Sequence, residues 1–502
     1  MTTEAKWQRF MELAGELSDL SRAAAVLGWD QQTYMPPGGG EARAQQRATL
    51  QRVIHERLTG AEVGELLADL EAQGAAGDDP FRKAVLRETR RMYDQAVKIP
   101  ADLAAEFVRV TSVAMNAWAR AREEGDFDLF RPHLERIVEL TCERADALGY
   151  TTDRYDALLD LYEPGATRDE VNRIFDGLRG TLIPLLHELL PKLGEVDDGP
   201  FRRELARESQ MAFVNEVIAQ IGFDYNRGRM DLSAHPFTIS FSPNDVRLTT
   251  RIDPNDLRMA LYSAIHEAGH GMYEQGIPAR WERTPVGAVP SLGLHESQSR
   301  MWENVIGRSR EFWAFFLPKL RQAFPGEFDG VDVDAVYRAV NRVEPSYIRT
   351  EADEVTYNLH IMIRYELEQA LVDGSLAVAD LPGAWDAKME EYLTVRPRSV
   401  REGVLQDVHW SMGSIGYFPT YSLGTILAVQ LFEAACKEHP EIPSEIAAGN
   451  FEPVRHWMQR NVYDQACLYT PKELLEKVTG TGYDPEPYLA YIKGKYGELY
   501  GL

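Results

Sequence analysis

Cysteine is scarce in this sequence. Only Cys142, Cys436 and Cys467 occur in 502 residues, far apart and with no CxxC pair. That excludes a disulfide-stapled secreted framework and suits a reducing compartment, so a cytoplasmic protein is expected. Basic side chains are also in deficit. The 54 Lys and Arg face 78 Asp and Glu, giving a formal net charge of −24 and a pI near 5.0. A field of that sign repels phosphate backbones and anionic lipid, which argues against nucleic-acid and membrane partners. Long uncharged runs are missing except for Ser411–Phe432. That stretch contains Gly413, Gly416, Pro419, Thr420, Tyr421, Gly424 and Gln430, which fits a buried loop and helix start and not a bilayer span. The opening MTTEAKWQRFMELAGELSDL is charged throughout and reads as an amphipathic helix, not a signal peptide. There is no P-loop or dinucleotide fingerprint; GEARAQ at 40–45 lacks the strand–glycine–helix context.

What is present is helical periodicity. Segments 4–28, 41–72, 80–95, 99–123, 129–148, 168–193 and 200–222 alternate apolar and charged faces. Gly/Pro clusters such as MPPGGG (35–40) and EPGATRDE (163–170) punctuate them. The pattern changes only near 230–252, where Phe237–Phe241 and Val246–Ile252 are short β-prone runs between turn residues. Helices then resume, with a long one expected from Tyr347 to Leu371. The sequence therefore predicts one mostly α-helical domain over 1–502. It comprises a helical part to about 222, a small antiparallel sheet within 223–252, and a second helical part over 253–502. Trp281, Trp302, Trp313, Trp385 and Trp410, with Met259, Met272 and Met301, read as packing residues. Glu195–Asp198 (EVDD) reads as a solvated loop.

Chemistry enters with Ala264–Gly271, AIHEAGHG, an HExxH inside a helical pattern that starts near Asp256. A spacing of four puts His266 and His270 one turn apart on one face, where both imidazoles reach one ion. Glu267 lies beside them, placed to deprotonate a water at that ion. With 11 histidines in 502 residues, this motif arises by chance about 0.02 times per chain. A catalytic site needs a third protein ligand and an open position. Position 276 is Gly, so no HxxGxxH extension supplies one. The segment LHESQSRMWEN offers His295, Glu296 and Glu303, and Glu274 follows on the first helix. A ligand from a second packed helix converges better, which leaves Glu296 or His295.

HEAGH followed by HESQSRMWEN resembles the carboxypeptidase Taq family of metallocarboxypeptidases. Further blocks occur in order: WDQQTYMPPGG from Trp29, HPF at 235–237, DVRLT at 245–249, IRTEAD at 348–353, GVLQDVHW at 403–410 and GYFPTY at 416–421. The resemblance spans nearly the whole chain. It implies a mostly α-helical shell with a deep active-site groove, metal ligands His266, His270 and Glu296, and Glu267 as general base. It also implies one zinc or cobalt per chain and a homodimer acting on peptides with a free C-terminus; the N/O donors themselves would also accept manganese.

A carboxypeptidase must hold a terminal carboxylate, a task suited to the planar fork of arginine. Arg349 is the first candidate, against the plainer alternative of an exposed helix arginine paired with Asp353. Arg247 is the second, with pairing to Asp245 as the plainer role. His409, Tyr417 and Tyr421 are candidate donors to a developing oxyanion. His235 either touches substrate or braces the sheet. Asp353, Glu354 and Glu351 compete to accept the outer N–H of a ligating histidine. The expected function is a metal-dependent carboxypeptidase that releases single residues with broad specificity. An oligoendopeptidase on a similar shell and a non-catalytic metal-stabilised scaffold are the competitors; Glu267 beside an open position argues against the scaffold.

Overall fold

Helical periodicity becomes helix over most of the chain in the computed structural model, which describes all 502 residues. The first helix, Thr3–Thr33, starts where the Thr2 hydroxyl accepts the Ala5 amide at 3.2 Å. The expected 41–72 segment is two helices, Gly40–Leu58 and Ala61–Ala72. They part where Thr59 Oγ1 turns back to the His55 carbonyl and Gly60 adopts an extended conformation. The long helix expected from Tyr347 starts only at Tyr357 and runs to Val372. Before it, Arg349–Glu351 forms a 3-10 turn. Asp353 then fixes the start, its carboxylate accepting the amides of Val355 (2.9 Å) and Thr356 (3.1 Å) and the Thr356 hydroxyl (2.8 Å).

The inserted sheet has three strands: β1 Gly228–Leu232, β2 Thr238–Ser242 and β3 Asp245–Thr250, in the order β1-β3-β2. It is mixed, which corrects the antiparallel expectation. β2 and β3 form the expected hairpin, but β1 lies on the far edge of β3 and runs parallel to it, Gly228 opposite Val246. Residues 233–237 carry the chain across β3, a crossing that β-propensity along one strand does not report.

One apolar core runs through the molecule from Val110 to Tyr500, and a smaller cluster joins Trp7, Phe10 and Leu13 to Leu67, Val85 and Val286. Trp302, Trp313, Trp385, Trp410, Met272 and Met301 are buried, as packing residues should be. Trp281 is half-buried and stacks on Phe81 at 4.9 Å. The EVDD expectation is overturned at its last residue. Asp198 is buried and held by Arg202 (2.7 Å), Arg258 (2.9 Å) and Arg342 (2.9 Å). The uncharged stretch at 411–432 enters the buried helix Pro419–Glu438, and no helix is long and apolar enough to cross a membrane. Glu368, wholly buried, ties that region together by accepting from Tyr155 Oη (2.6 Å), Trp410 Nε1 (2.8 Å) and the Gly416 amide (2.9 Å).

Candidate metal centre and active site

The HExxH helix, Leu257–Gly276, starts at Asp256, whose side chain accepts the Arg258 amide at 3.0 Å. A second helix, Leu292–Arg300, is capped by Ser291 Oγ accepting from Leu294 N (3.1 Å) and carries His295 and Glu296. Glycine lets these elements close on each other. A Cβ on Gly269 would lie 2.6 Å from the Gln298 carbonyl oxygen, and one on Gly424 would lie 2.5 Å from Glu296 Cβ. The first contact joins the two ligand-bearing helices; the second sets Pro419–Glu438 against the back of Glu296.

Glu296 Oε2 lies 3.3 Å from His270 Nε2 and 3.5 Å from His266 Nε2. The ligand atoms of all three residues fall within 4.8 Å of one another. A tetrahedral ion with ligands at about 2.1 Å has ligand–ligand edges of about 3.4 Å. The cluster therefore fits one divalent ion, and its two imidazoles and one carboxylate, without thiolate, suit a borderline metal.

The next layer orients these three side chains. His266 Nδ1 donates to Glu303 Oε2 at 2.9 Å, so Glu303 takes the role expected of Asp353, Glu354 or Glu351. Those three are engaged elsewhere. Asp353 accepts from Val355 and Thr356 in the turn before the helix, Glu354 pairs with Lys495 at 2.6 Å, and Glu351 is exposed. Glu303 lies on a π-helical turn, Met301–Ile306, that continues the second helix, and Arg300 (3.4 Å) and Arg308 (3.2 Å) hold it. Arg300 Nε donates to Glu296 Oε1 at 2.7 Å, leaving Oε2 toward the imidazoles.

Burial alone would raise the Glu296 pKa, but Arg300 and His266 hold it well below the ordinary carboxylate value. Glu303, also against burial, is brought down to about 2 by the His266 hydrogen bond and Arg300. Burial, with His295 alongside, pushes His270 down to about 3. A neutral imidazole and an ionised carboxylate are the forms that bind metal. His295 stacks on His270 at 4.2 Å and its Nε2 lies 3.2 Å from Glu274, so two of the weighed ligand candidates face each other beside the cluster. Glu267 is buried, which raises its pKa, and Thr238 Oγ1 reaches its Oε2 at 2.6 Å.

Arg349 is not an exposed helix arginine paired with Asp353. It is buried, donating from Nε (3.0 Å) and Nη2 (2.9 Å) to Asp407 Oδ1 and from Nη1 to Tyr357 Oη (3.2 Å). Arg364 Nε donates to the other Asp407 oxygen at 2.7 Å. Two guanidiniums thus share one carboxylate, and they hold Asp407 far below the usual carboxylate range despite its burial. The Arg349 guanidinium lies 5.0 Å from the Tyr421 ring, and His409 Nε2 lies 3.2 Å from Tyr421 Oη. Tyr417 packs on Tyr421 at 5.3 Å. Arg300 lies 4.1 Å over the Tyr357 ring, so contacts run unbroken from Glu296 through Arg300 and Tyr357 to Arg349, Tyr421 and His409.

Arg247 stands apart from that chain, paired to Asp245 at 2.9 Å and stacked on Trp29 at 4.3 Å. His235 is exposed, and no hydrogen bond involves its imidazole. Sequence reasoning missed the roles of Thr238, Tyr357 and Asp407. Only Asp407 left a signal, standing two residues before His409 in the QDVHW block.

An HExxH helix, a carboxylate converging from a second helix and a glutamate beside the cluster define a metallopeptidase. Residues 9–496 match the family model described as carboxypeptidase Taq (M32) metallopeptidase, and the chain belongs to that family. It is similar over its full length to thermostable carboxypeptidase 1 of Thermus thermophilus, at 41% identity with all of both chains covered. It is 36% identical to carboxypeptidase 1 of Bacillus subtilis over 99% of each chain. The M32 carboxypeptidase of Deinococcus radiodurans superposes with a TM-score of 0.96 at 41% identity, covering 99% of this chain and 100% of that one. Metallocarboxypeptidase 1 of Trypanosoma cruzi gives 0.94 at 33% identity, covering 98% and 99%. The protein is a metallocarboxypeptidase, a peptide hydrolase that depends on a divalent metal.

Proposed function

We propose that the protein removes single residues of broad identity from peptide C-termini in the cytoplasm, as a homodimer with one zinc per chain. His266, His270 and Glu296 would hold the ion; cobalt and manganese suit the same donors. The carrying observation is the convergence of both imidazole Nε2 atoms on Glu296 Oε2 at 3.3 and 3.5 Å, with Glu267 next in sequence. Once bound, the ion supplies Lewis acidity to the scissile carbonyl and lowers the pKa of water. Glu267 takes the proton of the attacking water and returns it to the leaving amine. Three free thiols with no disulfide support the reducing compartment. The homodimer is carried over from the family, and sedimentation equilibrium reads it directly; elemental analysis reads the ion.

Arg349 is the proposed carboxylate anchor, with Tyr421 and His409 lining the same place. Arg349, Arg364 and Asp407 together carry one uncompensated positive charge in a buried setting, and a peptide's terminal carboxylate balances it. A charge-assisted hydrogen bond to that carboxylate contributes about 1.5–3 kcal/mol and also orients the last peptide bond. Arg349→Ala should therefore cut kcat/KM by roughly ten- to several-hundred-fold on a peptide acid. The amide of the same peptide, cleaved poorly from the start, should change little. Arg349→Lys should restore only part of the loss, because an ammonium lacks the two-pronged geometry. Equal losses on acid and amide would remove Arg349 from this role. Efficient cleavage of amidated peptides by the unaltered enzyme would favour the oligoendopeptidase reading instead.

A further inference from the structure

One hydroxyl of the inserted sheet reaches the glutamate of the HExxH motif. Thr238, the first residue of β2, places Oγ1 2.6 Å from Glu267 Oε2 and 2.9 Å from the Glu267 carbonyl oxygen. The hydroxyl has a single proton to give, and an ionised carboxylate forms the stronger and shorter bond. Its partner, Oε1, has no hydrogen bond within the chain and is not among the polar atoms sealed from solvent. The two carboxylate oxygens of Glu267 are therefore unlike: one is tied and one is open. The strand that holds the tie is itself fixed, because Thr238 pairs with Leu248 of β3 and the Phe237 amide donates to Thr249 Oγ1 at 2.9 Å.

Such a tie has mechanical value. The terminal torsion of a glutamate is broad, with no sharp wells to hold the carboxylate plane. A base must meet its proton at hydrogen-bond distance with a lone pair aimed at it, and a displacement of about 1 Å can cost on the order of 100-fold in rate.

We propose that Thr238 is a positioning residue that pins Oε2, fixes the carboxylate plane of Glu267 and leaves Oε1 as the oxygen that exchanges the proton. The water's O–H bond breaks toward Oε1 as its oxygen bonds to the scissile carbon. The same proton then leaves Oε1 for the amine nitrogen as the C–N bond breaks, so Glu267 ends as it began. The proposal rests on Glu267 being the base, and that dependence is tested separately.

The experiment compares Thr238→Val, Thr238→Ser, Glu267→Gln and the unaltered enzyme, each metal-loaded with metal content measured, on one peptide acid. Val keeps the shape and removes the hydroxyl; Ser keeps the hydroxyl and removes the methyl. Thr238→Val should lower kcat about 10- to 100-fold with KM within about two-fold. Metal content should be unchanged, and Thr238→Ser should recover most of kcat. A Val variant with kcat near that of the unaltered enzyme overturns the proposal. So does a Ser variant as impaired as Val, or a loss confined to KM. If the Val variant does not fold, Thr238→Ala against Thr238→Ser reads the same hydroxyl by the same criteria. Substantial turnover by Glu267→Gln would sink the base assignment itself. An inactive Gln variant beside a normal Val variant would sink the role of Thr238 alone.

Discussion

Four carboxylates surround the two histidines of the metal cluster, and their neighbours divide the work among them. Glu296 has one oxygen held by Arg300 and turns the other, which also accepts from Ser299 Oγ at 2.9 Å, toward the imidazoles, whereas Glu303 is spent on His266 Nδ1 and two arginines. Glu274 lies against His295, and Glu267 is tied to Thr238. His266→Ala, His270→Ala or Glu296→Ala should each leave bound metal well below one per chain by elemental analysis. His295→Ala, which removes a stacking partner and no ligand, should keep most of it. An emptied His295→Ala site beside a filled Glu296→Ala site would exchange their roles. The HExxH spacing made the two histidines and the glutamate between them legible from sequence. Spacing left His295 and Glu296 open, because adjacent helix residues differ by about 100° in direction and the packed partner decides which faces the cluster; the family resemblance, not the spacing, chose Glu296.

At the scale of elements, ligand geometry is set by how closely backbones approach. Gly269 lets the two ligand-bearing helices touch, and Gly424 lets a third helix press on Glu296. Gly424→Ala should drive a methyl into Glu296, costing about 1–3 kcal/mol of stability by overpacking. It should also weaken metal binding beyond that of a control such as Gly494→Ala, where a Cβ meets nothing within 4 Å. Equal metal affinity in the two variants, read by chelator competition, would show that the helix absorbs the methyl without moving Glu296. Helices with clean amphipathic periodicity were readable, and so was the hairpin of β2 and β3. The start at Tyr357 was not, because residues 347–356 are apolar enough to continue a helix pattern. They leave it to place Arg349 on Asp407 and Asp353 under the next helix. The parallel pairing of β1 was equally hidden, since strand order is a tertiary choice.

At the scale of the whole molecule, a buried acid with no cation beside it makes stability depend on pH in a direction opposite to that of ion pairs. Burial pushes Glu368 up to about 7, although Tyr155, Trp410 and the Gly416 amide all donate to it. Unfolded, the same carboxyl titrates near its ordinary value of about 4.3. Between these values the folded chain binds the additional proton, so stability from this group is greatest below about 4.3, falls as pH rises and levels off above 7. The span amounts to about 4 kcal/mol. Denaturant unfolding of the metal-loaded protein from pH 5 to 7.5 should show this decline, and Glu368→Gln should remove most of it. An unchanged pH slope in the variant would mean that Glu368 stays ionised throughout. Periodicity announced a mostly helical chain. It could not announce which acids the core would swallow: Asp198 sat in what looked like a solvated loop, and nothing local marks Glu368 as buried.

The shared carboxylate of Arg349 and Arg364 bears on the end of the catalytic cycle as much as on its start. Each amino acid set free keeps the same α-carboxylate by which the parent peptide was held. With Arg349 as anchor, the departing residue must give up the contact that the next peptide needs. Accumulated free amino acids then compete with peptide for one guanidinium. Turnover in a closed volume would slow in proportion to what has already been released, coupling the enzyme's output to how quickly its surroundings clear amino acids away.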